Sequence, residues 1–92
     1  MKKTTNQQTN QQTNRGKEFL VFANEVLQHI EDYTVPQYGD APDDLVQEYS
    51  AEECVRAIEK YCRRFRKQAR PNQDELDMKK IAHYACLAFN KL

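Results

Sequence analysis

Apolar residues recur every three or four positions from residue 17 onward, which is the spacing of one face of an amphipathic helix. The positions that follow this spacing are Phe19, Phe22, Ala23, Val26, Leu27, Ile30 and Tyr33. Pro36 ends the pattern, because the residue before a proline is disfavoured in the α region. We predict a first long helix over about 17–32.

The second long helix has the clearest start signal in the chain. Ser50 followed by Glu53 is the pattern of a capping box, in which each side chain bonds to the backbone N–H of the other residue. Pro71 ends the pattern, so we predict a helix over about 51–69. Its apolar side carries Cys54, Ile58, Tyr61, Cys62, Phe65 and Ala69.

The third long helix is apolar on two sides. Asn72 and Glu75 form a second capping pair at its start, which predicts a helix over about 73–91. Its main apolar face holds Met78, Ile81, Ala82, Ala85, Ala88, Phe89 and Leu92, and the opposite side holds Leu76, Tyr84 and Leu87. A helix of this kind is packed on two sides, by a short helix of the same chain or by another copy of the protein.

The connection at 33–49 contains acids but no basic residue. Pro42, Asp43 and Asp44 are typical of a helix start, because proline suits the first turn and acids favour the positive end of the helix dipole. We predict one short helix near 42–48 inside an otherwise ordered loop.

Residues 1–16 repeat a Thr-Asn-Gln-Gln unit and have no apolar side chain after Met1. Such a segment buries too little surface to offset the entropy of ordering, so we expect a disordered tail. Residues 17–92 then form a single all-α domain, a small bundle of three long helices and one short helix.

The composition narrows the class of protein. Fourteen basic and fourteen acidic side chains give a formal net charge of zero, which excludes a polycation of the histone type. No apolar run is long enough for a membrane span, and no secretory leader is recognisable, so we expect a cytoplasmic protein. Its three cysteines, which form no C-x-x-C pair, are then reduced residues of the core.

Residues for catalysis are scarce. The single serine is used as the Ser50 cap, and we expect His83 to face solvent. Asp74 and Asp77 have the spacing of half a magnesium site of the kind found in all-α nucleotide pyrophosphatases, but the matching half on the second helix is missing. Pyrophosphatase activity is therefore an unfavoured alternative, and we expect a non-enzymatic protein without metal or cofactor.

A basic stripe on the second helix stands out from the rest of the sequence. We define it as Arg56, Lys60, Arg63, Arg64, Arg66, Lys67 and Arg70. The favoured interpretation is a solvated face with ion pairs Glu52–Arg56 and Glu59–Arg63, its remaining charge facing the acidic segment 31–49. The alternative is sequence-nonspecific binding of nucleic acid through the phosphates.

Tyrosines and the second side of the third helix supply a candidate interface. It comprises Tyr38, Tyr49, Leu76, Tyr84 and Leu87, and tyrosine is enriched at protein interfaces. The favoured function is macromolecular binding by an accessory protein, with a protein partner or a second copy ahead of nucleic acid.

Four runs, TVPQYGD at 34–40, AEEC at 51–54, IEKYCRRF at 58–65 and KIAHYA at 80–85, resemble a set of short proteins of unassigned function from bacteria and their prophages. The second and third helices are also loosely similar to a phage family with a K-Y-x-x-R helix before a D-x-x-K-A-x-x-Y helix, except that Ile81 replaces the alanine. The resemblance implies a compact helical fold in an accessory or mobile-element setting, and it implies no catalytic residues.

Overall fold

The computed structural model describes residues 13–40, 48–67 and 70–92, and within these ranges the chain is helical and has no strand. In chain order the elements are α1 (Asn14–His29), a π-helical segment (Ile30–Thr34), α2 (Val35–Tyr38), α3 (Ala51–Arg63) and α4 (Gln73–Phe89). α3 packs along α4, and α1 packs on α4. The predicted short helix near 42–48 lies outside the described residues except at Glu48, and the first twelve residues of the predicted tail also lie outside them.

α1 begins three residues earlier than predicted, so the expectation of disorder is wrong for residues 13–16. Thr13 is the N-cap, and its Oγ1 accepts a hydrogen bond from the Gly16 N–H at 3.0 Å. A threonine cap of this kind contributes about 1 kcal/mol to helix stability. The repeat that makes the tail polar therefore also supplies the residue that starts the helix.

The helical path does not end before Pro36, which corrects the boundary predicted near residue 32. At the π-helical segment the Val35 N–H donates to the Ile30 carbonyl, five residues back, and this shifts the hydrogen bonding by one residue. Pro36 follows directly within this path; its fixed φ fits a helix, although it has no N–H to donate. The path ends at Gly39, whose φ of 89° favours glycine.

The predicted capping box of α3 is confirmed. Ser50 Oγ accepts from the Glu53 N–H at 3.1 Å, and Glu53 Oε1 accepts from the Ser50 N–H at 2.8 Å. The helix ends at Arg63, six residues before the predicted end. Arg66 takes a left-handed φ of 65° and donates its N–H to Asp74 Oδ1 at 3.1 Å, so the chain leaves the helix to meet the start of α4.

α4 begins at Gln73 as predicted, but the capping pair expected there is wrong. Asn72 has a left-handed φ of 63°, and its side chain makes no capping hydrogen bond. Asparagine tolerates this conformation better than most residues, and its carbonyl still accepts from the Leu76 N–H at 3.1 Å. Asn72 is therefore a turn residue rather than a side-chain cap.

A buried ion pair fixes the register between α3 and α4. Arg64 donates from Nε to Asp77 Oδ2 at 2.8 Å and from Nη2 to Oδ1 at 2.6 Å, and Gln73 Nε2 adds a third bond to Oδ1 at 2.8 Å. Asp77 is only 1% exposed. Hydrogen bonding from Arg64 lowers the pKa of Asp77, and the bond from Gln73 lowers it further, while burial opposes both. The carboxylate is therefore charged and fully engaged.

The two apolar sides of α4, both of which we expected to be packed, differ in burial within the described chain. Leu87 is buried, while Leu76 and Tyr84 are half-buried, and all three lie on the side that faces into the chain. On the main apolar face, Met78 is 37% and Phe89 70% exposed. Asp77 and Gln73 lie on the Leu87 side, so their bonds to Arg64 orient that side towards α3.

The hydrophobic core of the described residues is small. Only Cys54, Tyr61 and Leu87 are buried among their apolar side chains, and α1 buries none of its residues. Burial raises the pKa of the Cys54 thiol. The prediction of core cysteines is right for Cys54 and wrong for Cys62 and Cys86, which are exposed.

Replacing Asp77 with asparagine tests the ion pair. The D77N change keeps the shape but removes the charge that Arg64 and Gln73 bond to, so we expect the free energy of unfolding to fall by about 2 kcal/mol at neutral pH. Because folding lowers the pKa of Asp77, its contribution is present above the ordinary aspartate range and is lost as the pH falls through the lowered value. The stability difference between wild type and D77N should therefore shrink in acid.

Urea unfolding across a pH series measures this difference, with E75Q as the control. Glu75 is an exposed acid on the same helix, and no described cation lies within 4 Å of its carboxylate. Two results would contradict the role of the Arg64–Asp77 pair. One is a loss of unfolding free energy in E75Q as large as that in D77N, and the other is a stability difference between wild type and D77N that grows as the pH falls.

Candidate functional site

A cavity of about 680 Å³ lies between the α1–α2 arm and the α3–α4 pair. All five tyrosines of the chain and both of its histidines contribute to the lining. These residues are Tyr33, Tyr38, Tyr49, Tyr61, Tyr84, His29 and His83. A cavity of this volume falls within the range of small-molecule sites, so it is the candidate functional site.

Tyr84 stands among the rings of this cavity. Its centroid lies 6.5 Å from that of Tyr49, with the planes 14° apart, and 6.0 Å from that of Tyr61. Burial, and after it the neighbouring hydroxyls of Tyr61 and Tyr49, raise the pKa of Tyr84 to about 12. Its phenol therefore stays neutral and can donate a hydrogen bond at any physiological pH.

Cations gather at the Tyr61 ring. Arg64 Cζ lies 4.9 Å from the ring centroid, Lys60 Nζ 5.2 Å and Lys80 Nζ 5.6 Å, distances at which a cation is attracted to an aromatic face. Arg64 is held by Asp77, and Lys60 is outside the cavity lining. Of these three cations, Lys80 is the one that lines the cavity.

The two histidines are neutral members of the lining at neutral pH. Burial first, and then His29, lower the pKa of His83. Burial also lowers the pKa of His29, and Lys79 and Lys80 add to the effect. The expectation that His83 faces solvent is wrong. His83 lies on the same side of α4 as Tyr84 and Leu87, lines the cavity and is half-buried.

The structure brings together all five residues of the predicted candidate interface. Tyr38, Tyr49, Leu76, Tyr84 and Leu87 each line this cavity. They therefore line one concave space, at which Tyr38 remains 65% exposed, and do not form a flat outer surface.

The predicted interface left out other residues of the cavity lining, among them His29, Tyr33, Tyr61, Lys80 and His83. A signal was present for the last two. Lys80 and His83 continue the spacing of three or four residues that joins Leu76 to Leu87, so they belong to the same side of α4. No sequence pattern reveals the π-helical segment that places Tyr33 at the cavity.

Most of the basic stripe is exposed on the outside of the α3 region. Its exposed members are Arg56, Lys60, Arg63, Arg66, Lys67 and Arg70. Arg64 is the exception, since its guanidinium is taken up by Asp77. Six of the seven residues of the basic stripe therefore form an exposed basic surface.

The ion pairs expected on this face do not form. Within the described part of the chain, neither Glu52–Arg56 nor Glu59–Arg63 comes within 4 Å, and the stripe's exposed ion pair is Arg66–Asp74 at 3.8 Å. The predicted contact with the acidic segment is absent for its described part, and its residues 41–47 lie outside the described ranges. The interpretation of the basic stripe as a solvated face is therefore not supported by ion pairs within the helix.

The predicted half-site for magnesium is occupied by protein groups. Both oxygens of Asp77 accept from Arg64, and one of them also accepts from Gln73. Among the residues that the structure describes, no group of three or more histidine, cysteine, aspartate or glutamate side chains is arranged to hold a metal ion.

No helix in the described ranges combines the length and the apolar character needed to cross a membrane.

Comparisons with known proteins identify no relative of this chain. The resemblance to bacterial and prophage proteins stays a prediction. Compared with family models, with curated proteins and with solved structures, the chain matches none of them.

Proposed function

We propose that this protein acts by macromolecular binding without catalysis, and that its partner is a second copy of itself. The observation that supports this proposal is the exposed apolar face of α4. A protein of this size, whose described residues form so small a buried core, gains stability by covering such a face.

The exposed face has the spacing of a helix–helix seam. Met78, Ala82, Ala85, Phe89 and Leu92 are separated by alternating steps of four and three residues. This is the repeat by which two helices keep a common apolar line in contact. We call these five residues the α4 seam.

The α4 seam is complementary to itself in an antiparallel arrangement. A two-fold axis between Ala82 and Ala85 would set each Phe89 beside the Met78 of the other copy, while the alanines allow the helices to approach closely. Phe89 is 70% exposed in the single chain. Burying one such ring contributes about 1.5–3 kcal/mol, and the symmetric dimer buries two.

The F89E variant tests this association. A glutamate at this position would place a charge in the apolar contact, so we expect wild type to be a dimer at micromolar concentration and F89E a monomer. Sedimentation equilibrium and light scattering after size exclusion measure the mass directly.

V21E is the matched control, because Val21 is 62% exposed on α1 and lies outside the α4 seam. It should leave the dimer intact, and circular dichroism should show equal helicity in all three proteins. A wild type that stays monomeric at every concentration, or an F89E protein that still dimerises, would refute the proposal.

Nucleic-acid binding through the basic stripe is the second candidate function. It is supported by the exposure of six cations that make a single ion pair with described acids, Arg66–Asp74. Contacts of this kind bind phosphate without reading sequence and weaken as salt rises, because they release counterions.

Reversal of Arg63, Arg66 and Lys67 to glutamate tests this second function. We expect the fold to be kept, since all three side chains are exposed, and any salt-dependent affinity for short DNA or RNA to disappear in fluorescence anisotropy. Reversal of Arg15 and Lys17, exposed on α1, is the control and should preserve the binding. Wild-type protein that binds neither nucleic acid at low salt would remove this candidate.

A further inference from the structure

Core packing explains the buried Tyr61 but not the exposed aromatic side chains of the cavity. Tyr33 and Tyr38 are 64% and 65% exposed, so their rings stand along the wall and leave the space open. An exposed ring gains nothing from burial in the free protein. The concentration of all five tyrosines around one space therefore points to a ligand that completes their packing.

The orientation of the rings favours a flat ligand. Tyr49 and Tyr84 are within 14° of parallel, and the His29 ring stacks on Tyr33 at 5.3 Å with an angle of 27°. Aromatic groups attract one another most strongly in offset-stacked or edge-on arrangements at these separations. A planar aromatic ring can adopt either arrangement inside this lining.

The charge of the lining favours an acid group on that ligand. Lys80 is half-buried, lines the cavity, and has no described carboxylate within 4 Å of its Nζ. Lys80 Nζ lies 5.6 Å from the centroid of the Tyr61 ring, and its charge also acts on Asp77, whose carboxylate is already bonded by Arg64 and Gln73. The acid among the described lining residues is Asp40, which is exposed and follows the C-terminal end of α2.

We propose that the cavity is a binding site for a planar aromatic anion, such as an aromatic carboxylate or sulfonate. The ring of this ligand lies among the tyrosines, and its acid group pairs with Lys80. His83 and Tyr84 stand beside that position and can hydrogen-bond to the acid group.

This site is independent of the proposed dimer. The cavity uses the side of α4 that carries Leu76, Lys80 and Leu87, whereas the α4 seam is on the exposed side that carries Met78 and Phe89. Ligand binding can therefore be measured on monomeric F89E protein, in which the α4 seam is less able to take up an aromatic probe.

The test compares two probes of similar shape in the F89E background. Anilinonaphthalene sulfonate is an aromatic anion with a planar naphthalene ring, and phenylnaphthylamine is its uncharged counterpart. Because the chain contains no tryptophan, quenching of tyrosine emission reports directly on the cavity. We expect saturable binding of the anion with one site per chain.

The K80Q change separates charge from shape. It should weaken the binding of the anion about tenfold while leaving that of the neutral probe unchanged. K60Q is the matched control, because Lys60 contacts the same Tyr61 ring from outside the cavity, and it should alter neither affinity. Y38A, which removes an exposed wall ring, should weaken both probes.

Several results would overturn the proposal. One is binding of the anionic probe that does not saturate. Another is an affinity for that probe that K80Q leaves unchanged, and a third is an equal loss of that affinity in K80Q and K60Q. Circular dichroism on each variant shows whether the fold is retained, and a repeat with V21E in place of F89E shows whether the result depends on the monomeric state.

Discussion

The hydrogen-bonded pair of Arg64 and Asp77 is the constraint on which the rest of the described structure depends. A carboxylate that is 1% exposed must have its charge compensated, and here Arg64 and Gln73 supply every bond it receives. Because Asp77 has to reach Arg64, α4 presents to α3 the side that carries Asp77. The same requirement brings Tyr84 against Tyr61 and holds the Arg64 guanidinium over the Tyr61 ring.

This orientation accounts for both surfaces that carry the proposals. The inward side of α4 contributes Leu76, Lys80 and Tyr84 to the aromatic cavity, whose opposite wall comes from the α1–α2 arm. The outward side keeps the larger share of apolar residues and forms the α4 seam. One helix thus carries the proposed ligand site on one side and the proposed dimer surface on the other, so the two proposals can be tested separately by substitution.

Features that depend on neighbouring residues could be predicted from the sequence, while those that depend on contacts between residues distant in the sequence could not. The Ser50–Glu53 box depends on residues within a few positions and is found, and α4 begins at the predicted residue although Asn72 does not cap it. The early end of α3 depends on Asp74 reaching back to the Arg66 N–H, a contact that no periodicity reveals. Hydrophobic periodicity gives α4 two apolar sides and does not show which of them faces α3, because it gives no weight to Asp77. The members of the candidate interface were found, but their common cavity depends on the π-helical segment.

The contact between Tyr61 and Tyr84 is the most direct test of this orientation. Nuclear Overhauser spectra on mixed-labelled protein separate contacts within one chain from contacts between copies. The account predicts strong intrachain cross-peaks between these two rings, whose centroids are 6.0 Å apart, and none from Met78 or Phe89 to Tyr61. Intrachain cross-peaks from Met78 or Phe89 to Tyr61, without the Tyr84 contact, would show that α4 packs through its other side and would contradict the account.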